Sequence, residues 1–253
     1  MVGVYRIVLG CPGKKEVRMS GKWLQSFMAR RSFLARLGMG ASVLGATGIS
    51  APGAAAQATS DGPNAPWRPA HHAQDDWYDK IPGQHRFVFD STTPEGMALA
   101  LRFANNYFTA NQNAYGLKDS DLAVVIVARH KSTSFAYTDA IWAKYGKQLS
   151  EQAEFTDPKT KEPPKANLYA GPGDGSEQSG AMDTLIKRGA QFAVCQMASR
   201  AIAGRIARAT GGEVDAIFKE IGANLIPNAH FVPAGIVAVN RAQEKGYSFA
   251  LGI

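Results

Sequence analysis

Two rhythms of apolar residues alternate along the chain from residue 85 onward. His85-Arg86-Phe87-Val88-Phe89-Asp90 is a short apolar run with a polar end, and it predicts a first strand. Ser91-Thr92-Thr93-Pro94-Glu95 follows as a helix start. Thr92 and Glu95 have capping-box spacing, and Pro94 suits the first turn. Met97, Leu101, Ala104 and Phe108 then recur at helical spacing, and Gly116 ends the pattern. Asp121–Ala128 is continuously apolar after its first residue, which predicts a central strand covered on both faces. Beyond Arg129-His130-Lys131-Ser132-Thr133, a second helix carries Ile141, Trp142, Tyr145 and Leu149.

The second half repeats the alternation. Met182–Arg188 reads as a short helix, and Gly189–Cys195 as a third strand. Ala198, Ile202, Ile206 and Ala209 mark a helix face stopped by Gly211-Gly212. Val214–Ile221 is a further short helix. Asn228–Val232 is a fourth strand, Pro233 opens a helix through Ile236 and Val239, and Tyr247–Leu251 is a fifth strand. Strands alternating with helices predict an α/β fold: a parallel, doubly wound, five-stranded sheet with helices on both faces. The domain is expected over residues 83–253, preceded by an extended surface arm at 59–82. Residues 150–180 break the rhythm with Pro163-Pro164 and Gly171-Pro172-Gly173-Asp174-Gly175. They predict an insertion that is largely exposed and placed to cover the crevice. No Gly-Lys-Ser/Thr follows those glycines, so they are not a nucleotide P-loop.

This architecture gathers residues far apart in the chain. Asp90-Ser91-Thr92, Arg129-His130, Cys195-Gln196 and Pro233-Ala234 each follow a strand, so each is expected along one sheet edge, where such sheets bind ligands. Asp90, Ser91, Thr92, Arg129, Gln196 and Ala234 are the candidate crevice residues. Cys195 and His130 are the candidate catalytic pair, because an imidazolium beside a thiol favours thiolate. Cys195 also stands where a strand enters a helix, and the helix dipole favours thiolate there. The alternatives are an inert thiol used as a small hydrophobe and a histidine that only caps or packs.

The N-terminal composition changes the picture. The formal charge is +7, but eight of the 28 basic residues and one of the 21 acidic ones fall in residues 1–57. Residues 58–253 therefore carry 20 of each, and no basic field remains to attract nucleic acid. Arg30-Arg31-Ser32-Phe33-Leu34, a Gly- and Ala-rich weakly apolar run over Leu37–Ile49, and the small-residue site Ala56-Gln57-Ala58 read as a twin-arginine export signal over residues 1–58. The apolar run is too short to span a membrane comfortably. The expected location is periplasmic, with membrane contact only through this signal. Of the two cysteines, Cys11 lies in the signal, so Cys195 has no intramolecular partner in an oxidising compartment. That leaves a reactive thiol, an intermolecular bridge or a buried hydrophobe. His71-His72 with Asp75-Asp76 lacks the further ligands a metal site needs, so neither a metal nor another cofactor is expected.

Phe-Val-Phe-Asp at 87–90, Gly-Ala-Gln-Phe-Ala-Val-Cys at 189–195 and Val-Pro-Ala-Gly-Ile-Val-Ala-Val-Asn-Arg-Ala-Gln-Glu-Lys-Gly-Tyr-Ser-Phe at 232–249 resemble the DsrE/DsrF-like family, which includes sulfur-relay and YchN-like proteins. The resemblance covers roughly His85 to Leu251. It implies a small α/β fold that forms homo-oligomers. For the sulfur-relay members it also implies a cysteine after this strand that carries a persulfide between donor and acceptor proteins, and Cys195 matches that position. The relay members are cytoplasmic and lack so long an insertion. Two functions follow: an exported sulfane-sulfur carrier, or a non-catalytic small-ligand-binding or assembly module of the same fold.

Overall fold

The seven residues of Leu122–Ala128 are all buried, and the sheet is built outward from them. The computed structural model describes residues 67–170 and 181–252. The expected export signal, the first residues of the arm and the 171–175 glycines lie outside the described residues. In chain order the strands are β1 (His85–Ser91), β2 (Leu122–Ala128), β3 (Gln191–Cys195), β4 (Ala229–Val232) and β5 (Ser248–Gly252). The helices are α1 (Pro94–Tyr115), α2 (Asp139–Ala153), α3 (Ala181–Lys187), α4 (Gln196–Thr210), α5 (Val214–Ala223) and α6 (Gly235–Glu244). All strand pairs are parallel, in the order β4-β3-β2-β1-β5. The expected α/β class and five-stranded parallel sheet are therefore present. Among the described residues no helix is long and apolar enough to cross a membrane.

Strand order fixes which face each helix covers. β1 to β4 step in one direction across the sheet, and β5 returns to the outer side of β1. Right-handed crossovers put helices of forward steps on one face and the helix of the return step on the other. Met97 and Leu101 of α1, Ile141 and Trp142 of α2, Leu185 of α3, Ile202 of α4 and Ile217 of α5 share one core with Val124, Ile126, Phe192 and Val194. Ala238, Val239 and Ala242 of α6 share the other with Val88, Val125, Val127, Ala193 and Val232. At the carboxyl ends of β3 and β4 the chain leaves toward opposite faces. That is the topological switch point of the sheet.

Two expectations are corrected in part. Residues 67–74 of the arm are exposed, as expected of a surface arm, but Asp75, Tyr78 and Ile81 are buried. Tyr78 is fully buried in the α6-side core, its hydroxyl donating to the Ala238 carbonyl at 2.9 Å and its ring set edge-on to Tyr247. Trp77 stacks on His230 at 4.3 Å, and buried Asp75 pairs with Arg241 at 3.4 Å. Short segments without periodicity look exposed in a sequence, yet one helix leaves enough of a sheet face bare to hold such an arm. His71, from the rejected metal cluster, pairs with Asp76 at 2.7 Å. Among the described residues no group of three or more His, Cys, Asp or Glu could hold a metal ion.

The second correction concerns residues 164–170 of the expected insertion; residues 154–163 are mostly exposed, as expected. Helix α2 runs on to Ala153, and residues 164–170 are fastened to the body. Asn167 is buried, its Nδ2 donating to the carbonyls of Phe135 and Tyr137 at 2.6 and 2.9 Å. Tyr169 is buried as well and donates to the Pro94 carbonyl at 2.9 Å. Its ring belongs to the α1–α5 core, so this segment does not cover the α6 face. The Pro164 carbonyl sits so close to α2 that a Cβ on Gly146 would lie 2.2 Å from it.

Replacing Tyr78 tests the role of the arm. Tyr78→Ala is expected to cost about 3–5 kcal/mol, as for other large buried aromatic truncations. Urea unfolding measures it; a loss within about 0.5 kcal/mol, typical of surface sites, would return the arm to the surface.

Candidate functional site

Side chains on successive strand residues point to opposite faces, so parity decides which of the strand-end residues meet. Asp90 is two residues from Val88, Arg129 two from Val127 and Cys195 two from Ala193, and all three reference residues belong to the α6-side core. Asp90, Arg129 and Cys195 therefore share the α6 face at the carboxyl edge. Ala128 pairs with Val194 across β2 and β3, which makes Arg129 and Cys195 the next residues in register. Adjacent strands lie about 4.8 Å apart. On its other side Cys195 pairs with Val232, the last residue of β4.

Arg129 is held from several directions. Its Nε and Nη2 donate to the two carboxylate oxygens of Asp90, each at 2.8 Å. Asp90 is 1% exposed, and the Arg129 side chain is 26% exposed. The Arg129 backbone N–H reaches the Ser91 carbonyl at 3.3 Å and Ser132 Oγ at 3.1 Å. Gly235, which begins α6, rests on the aliphatic stem: an added Cβ there would lie 2.5 Å from Arg129 Cβ. The hydrogen bonds to Asp90 hold the guanidinium above its ordinary pKa against the opposing effect of burial, and the charge of Asp90 adds to them.

Cys195 is the N-cap of α4. Its Sγ accepts from the backbone N–H of Ala198 at 3.4 Å, so the sulfur takes one of the helix donors left without a partner inside the helix. The residue is 7% exposed, and it is a free cysteine. Tyr137 lies buried nearby and donates to Ser199 Oγ at 2.8 Å. Burial, the largest influence, pushes its phenol well above the usual range, so it stays neutral. Met197 and Ile236, at the starts of α4 and α6, are 70% and 59% exposed and give the edge two apolar side chains.

The remaining candidates have other roles. Ser91, on the opposite face, is buried with Oγ 2.8 Å from the Val127 carbonyl and 2.9 Å from Ser132 Oγ. Thr92 is not the helix cap: Thr93 is, its hydroxyl accepting from Gly96 N–H at 2.9 Å. Proline favours the first helical position, so Pro94 fixes the cap one residue before itself. Thr92 instead uses its carbonyl to accept from Lys131 N–H at 3.0 Å. His130 is exposed, with φ of 58°, in the left-handed region that few non-glycine residues adopt. It lies near Glu154, which pairs with Lys131 at the end of α2. Register therefore gives Cys195 the cation Arg129 as its β2 neighbour. Gln196 is exposed as the first residue of α4, and Ala234 is the N-cap of α6. Gly235, Tyr137 and Ser199 were missing from the candidate set, since nothing in their local sequence signals these contacts.

The buried ion pair carries a stability prediction. Arg129→Met strands the Asp90 carboxylate and is expected to cost about 3–5 kcal/mol in urea unfolding. An Asp90→Asn/Arg129→Gln double variant buries no lone charge and should cost much less. Equal losses in the two would show that charge is not what the pair contributes.

No protein-family model matches this chain, and no curated protein matches it in sequence. Its functional reading rests on the residues at the β3–β4 switch point.

Proposed function

We propose that this chain is an exported α/β protein of the DsrE/DsrF-like type that carries sulfane sulfur as a persulfide on Cys195. The observation that supports this most is the placing of the free thiol: at the switch point, capping α4, and next in register to an arginine clamped by a buried carboxylate. A thiolate there attacks the outer sulfur of a donor persulfide. The Cys195 Sγ–S bond forms as the donor S–S bond breaks, and the electron pair leaves on the donor thiolate. An acceptor thiolate reverses the sequence and regenerates Cys195, with no net oxidation or reduction. Donor and acceptor proteins, and assembly as a homo-oligomer, belong to the same reading. The other reading, a non-catalytic binding or assembly module, is favoured by one observation: Cys195 is 7% exposed.

Native mass spectrometry after exposure to a small organic persulfide separates them. The carrier gains the mass of one sulfur atom, lost in Cys195→Ser and removed by a thiol acceptor. A chain that takes up no sulfur, and whose thiol is alkylated only on unfolding, is the binding module.

Export is proposed on the Arg30-Arg31 pair and the Ala56-Gln57-Ala58 site. Changing both arginines to lysine is expected to leave uncleaved precursor in the cytoplasm, read by immunoblot of cell fractions. Normal processing of that variant would sink the twin-arginine assignment.

A further inference from the structure

The Arg129 guanidinium has five N–H groups. Asp90 takes one from Nε and one from Nη2, in the fork geometry that fixes the plane of the group. Among the described residues Nη1 has no hydrogen bond, while the side chain keeps 26% of its surface open to solvent. The stem cannot swing away, because Gly235 is packed on it and the backbone N–H is held by Ser91 and Ser132. The cation is thus held at its head and along its stem, partly open, and next to Cys195 when the sheet register is continued by one residue.

Two other cations, Lys131 after β2 and Arg200 in α4, are engaged elsewhere. Lys131 pairs with Glu154, and Arg200 pairs with Asp215 at 2.7 Å. His230, on the α6 face two residues before Val232, stacks on Trp77 and bonds Gln191 at 3.0 Å. Burial lowers its pKa, so it favours the neutral form. Tyr137 is neutral, as described above.

We propose that Arg129 is the specificity-determining residue of the Cys195 site and selects sulfur compounds that carry negative charge beside the reacting sulfur. The inference rests on the carrier reading and names its substrate class: anionic sulfane-sulfur donors. As the Sγ–S bond forms and the donor S–S bond breaks, the electron pair departs on an anionic leaving group, and Arg129 faces that charge. Asp90 keeps the guanidinium in place without filling the open side.

Two alkylating probes of nearly equal size and opposite charge character test it. Iodoacetate is anionic and iodoacetamide neutral, so the ratio of their rates at Cys195 cancels accessibility and retains charge. In the purified full-length chain, Arg129→Gln is expected to lower the iodoacetate-to-iodoacetamide ratio about fivefold, the order expected for removing one nearby unit charge. Arg129→Lys keeps the charge and should retain most of the wild-type ratio. High salt should bring the wild type toward the Gln variant. Because Arg129→Gln leaves a lone buried carboxylate, the Asp90→Asn/Arg129→Gln double variant is measured beside it and should show a lowered ratio as well. An unchanged ratio in the double variant overturns the proposal, as does a thiol that reacts with neither probe until the chain unfolds. If Cys195 accepts sulfur while the ratio stays flat, the selectivity of Arg129 fails and the carrier reading survives. A ratio that depends on Arg129 with no sulfur uptake keeps the anion preference and removes the carrier.

Discussion

Among the described residues, one helix has to cover a whole face of this sheet. Five strands at about 4.8 Å spacing span roughly 19 Å, whereas a helix is about 10 Å across and α6, with ten residues, is about 15 Å long. α6 touches every strand, and still cannot close the face alone. Toward its C-terminal end the shortfall is met by the arm, with Tyr78 and Trp77 packed beside Ala238, Tyr247 and His230. At β5 it is not met, and Phe249 and Leu251 stay 43% exposed. At the carboxyl edge, beside the start of α6, the sheet holds Asp90, Arg129 and Cys195, of which Arg129 keeps the most surface open. Site and arm occupy opposite ends of the same coverage problem.

The chemistry of the edge follows from what a covered sheet tolerates. A carboxylate as buried as Asp90 requires a partner, and the bidentate arginine supplies it. The pair restricts where the cation can sit. A freely rotating lysine at the same strand end would spread its charge over several positions; the clamped guanidinium keeps one place beside Cys195. The sulfur is also engaged by the α4 backbone, so two unrelated features, a helix start and an ion pair, converge on it.

Parity explains why the neighbour of the thiol is Arg129 when His130 had looked equally placed. Consecutive residues at a strand end point to opposite faces, and the left-handed backbone of His130 turns the chain into the segment leading to α2. The same rule separates Asp90, in the site, from Ser91, a buried structural hydroxyl on the other face.

Strand and helix identities were legible in the sequence because they rest on local periodicity. The seven-residue apolar run of β2, the Met97–Leu101–Ala104–Phe108 stripe and the glycine that ends α1 each declare themselves within a few residues. The cysteine at a strand-to-helix junction was legible for the same reason. Strand order was not, since every apolar parallel strand looks much like another, and without it the relative parity of β1, β2 and β3 is undefined. The burial of Tyr78, Asn167 and Tyr169 was likewise hidden, because their partners lie 30 to 160 residues away. The sequence by itself determined the elements and put polar and sulfur-bearing residues at strand ends. Only the tertiary pairing decided that Asp90, Arg129 and Cys195 face one another, because a shift of one residue in register turns a side chain to the opposite face of the sheet.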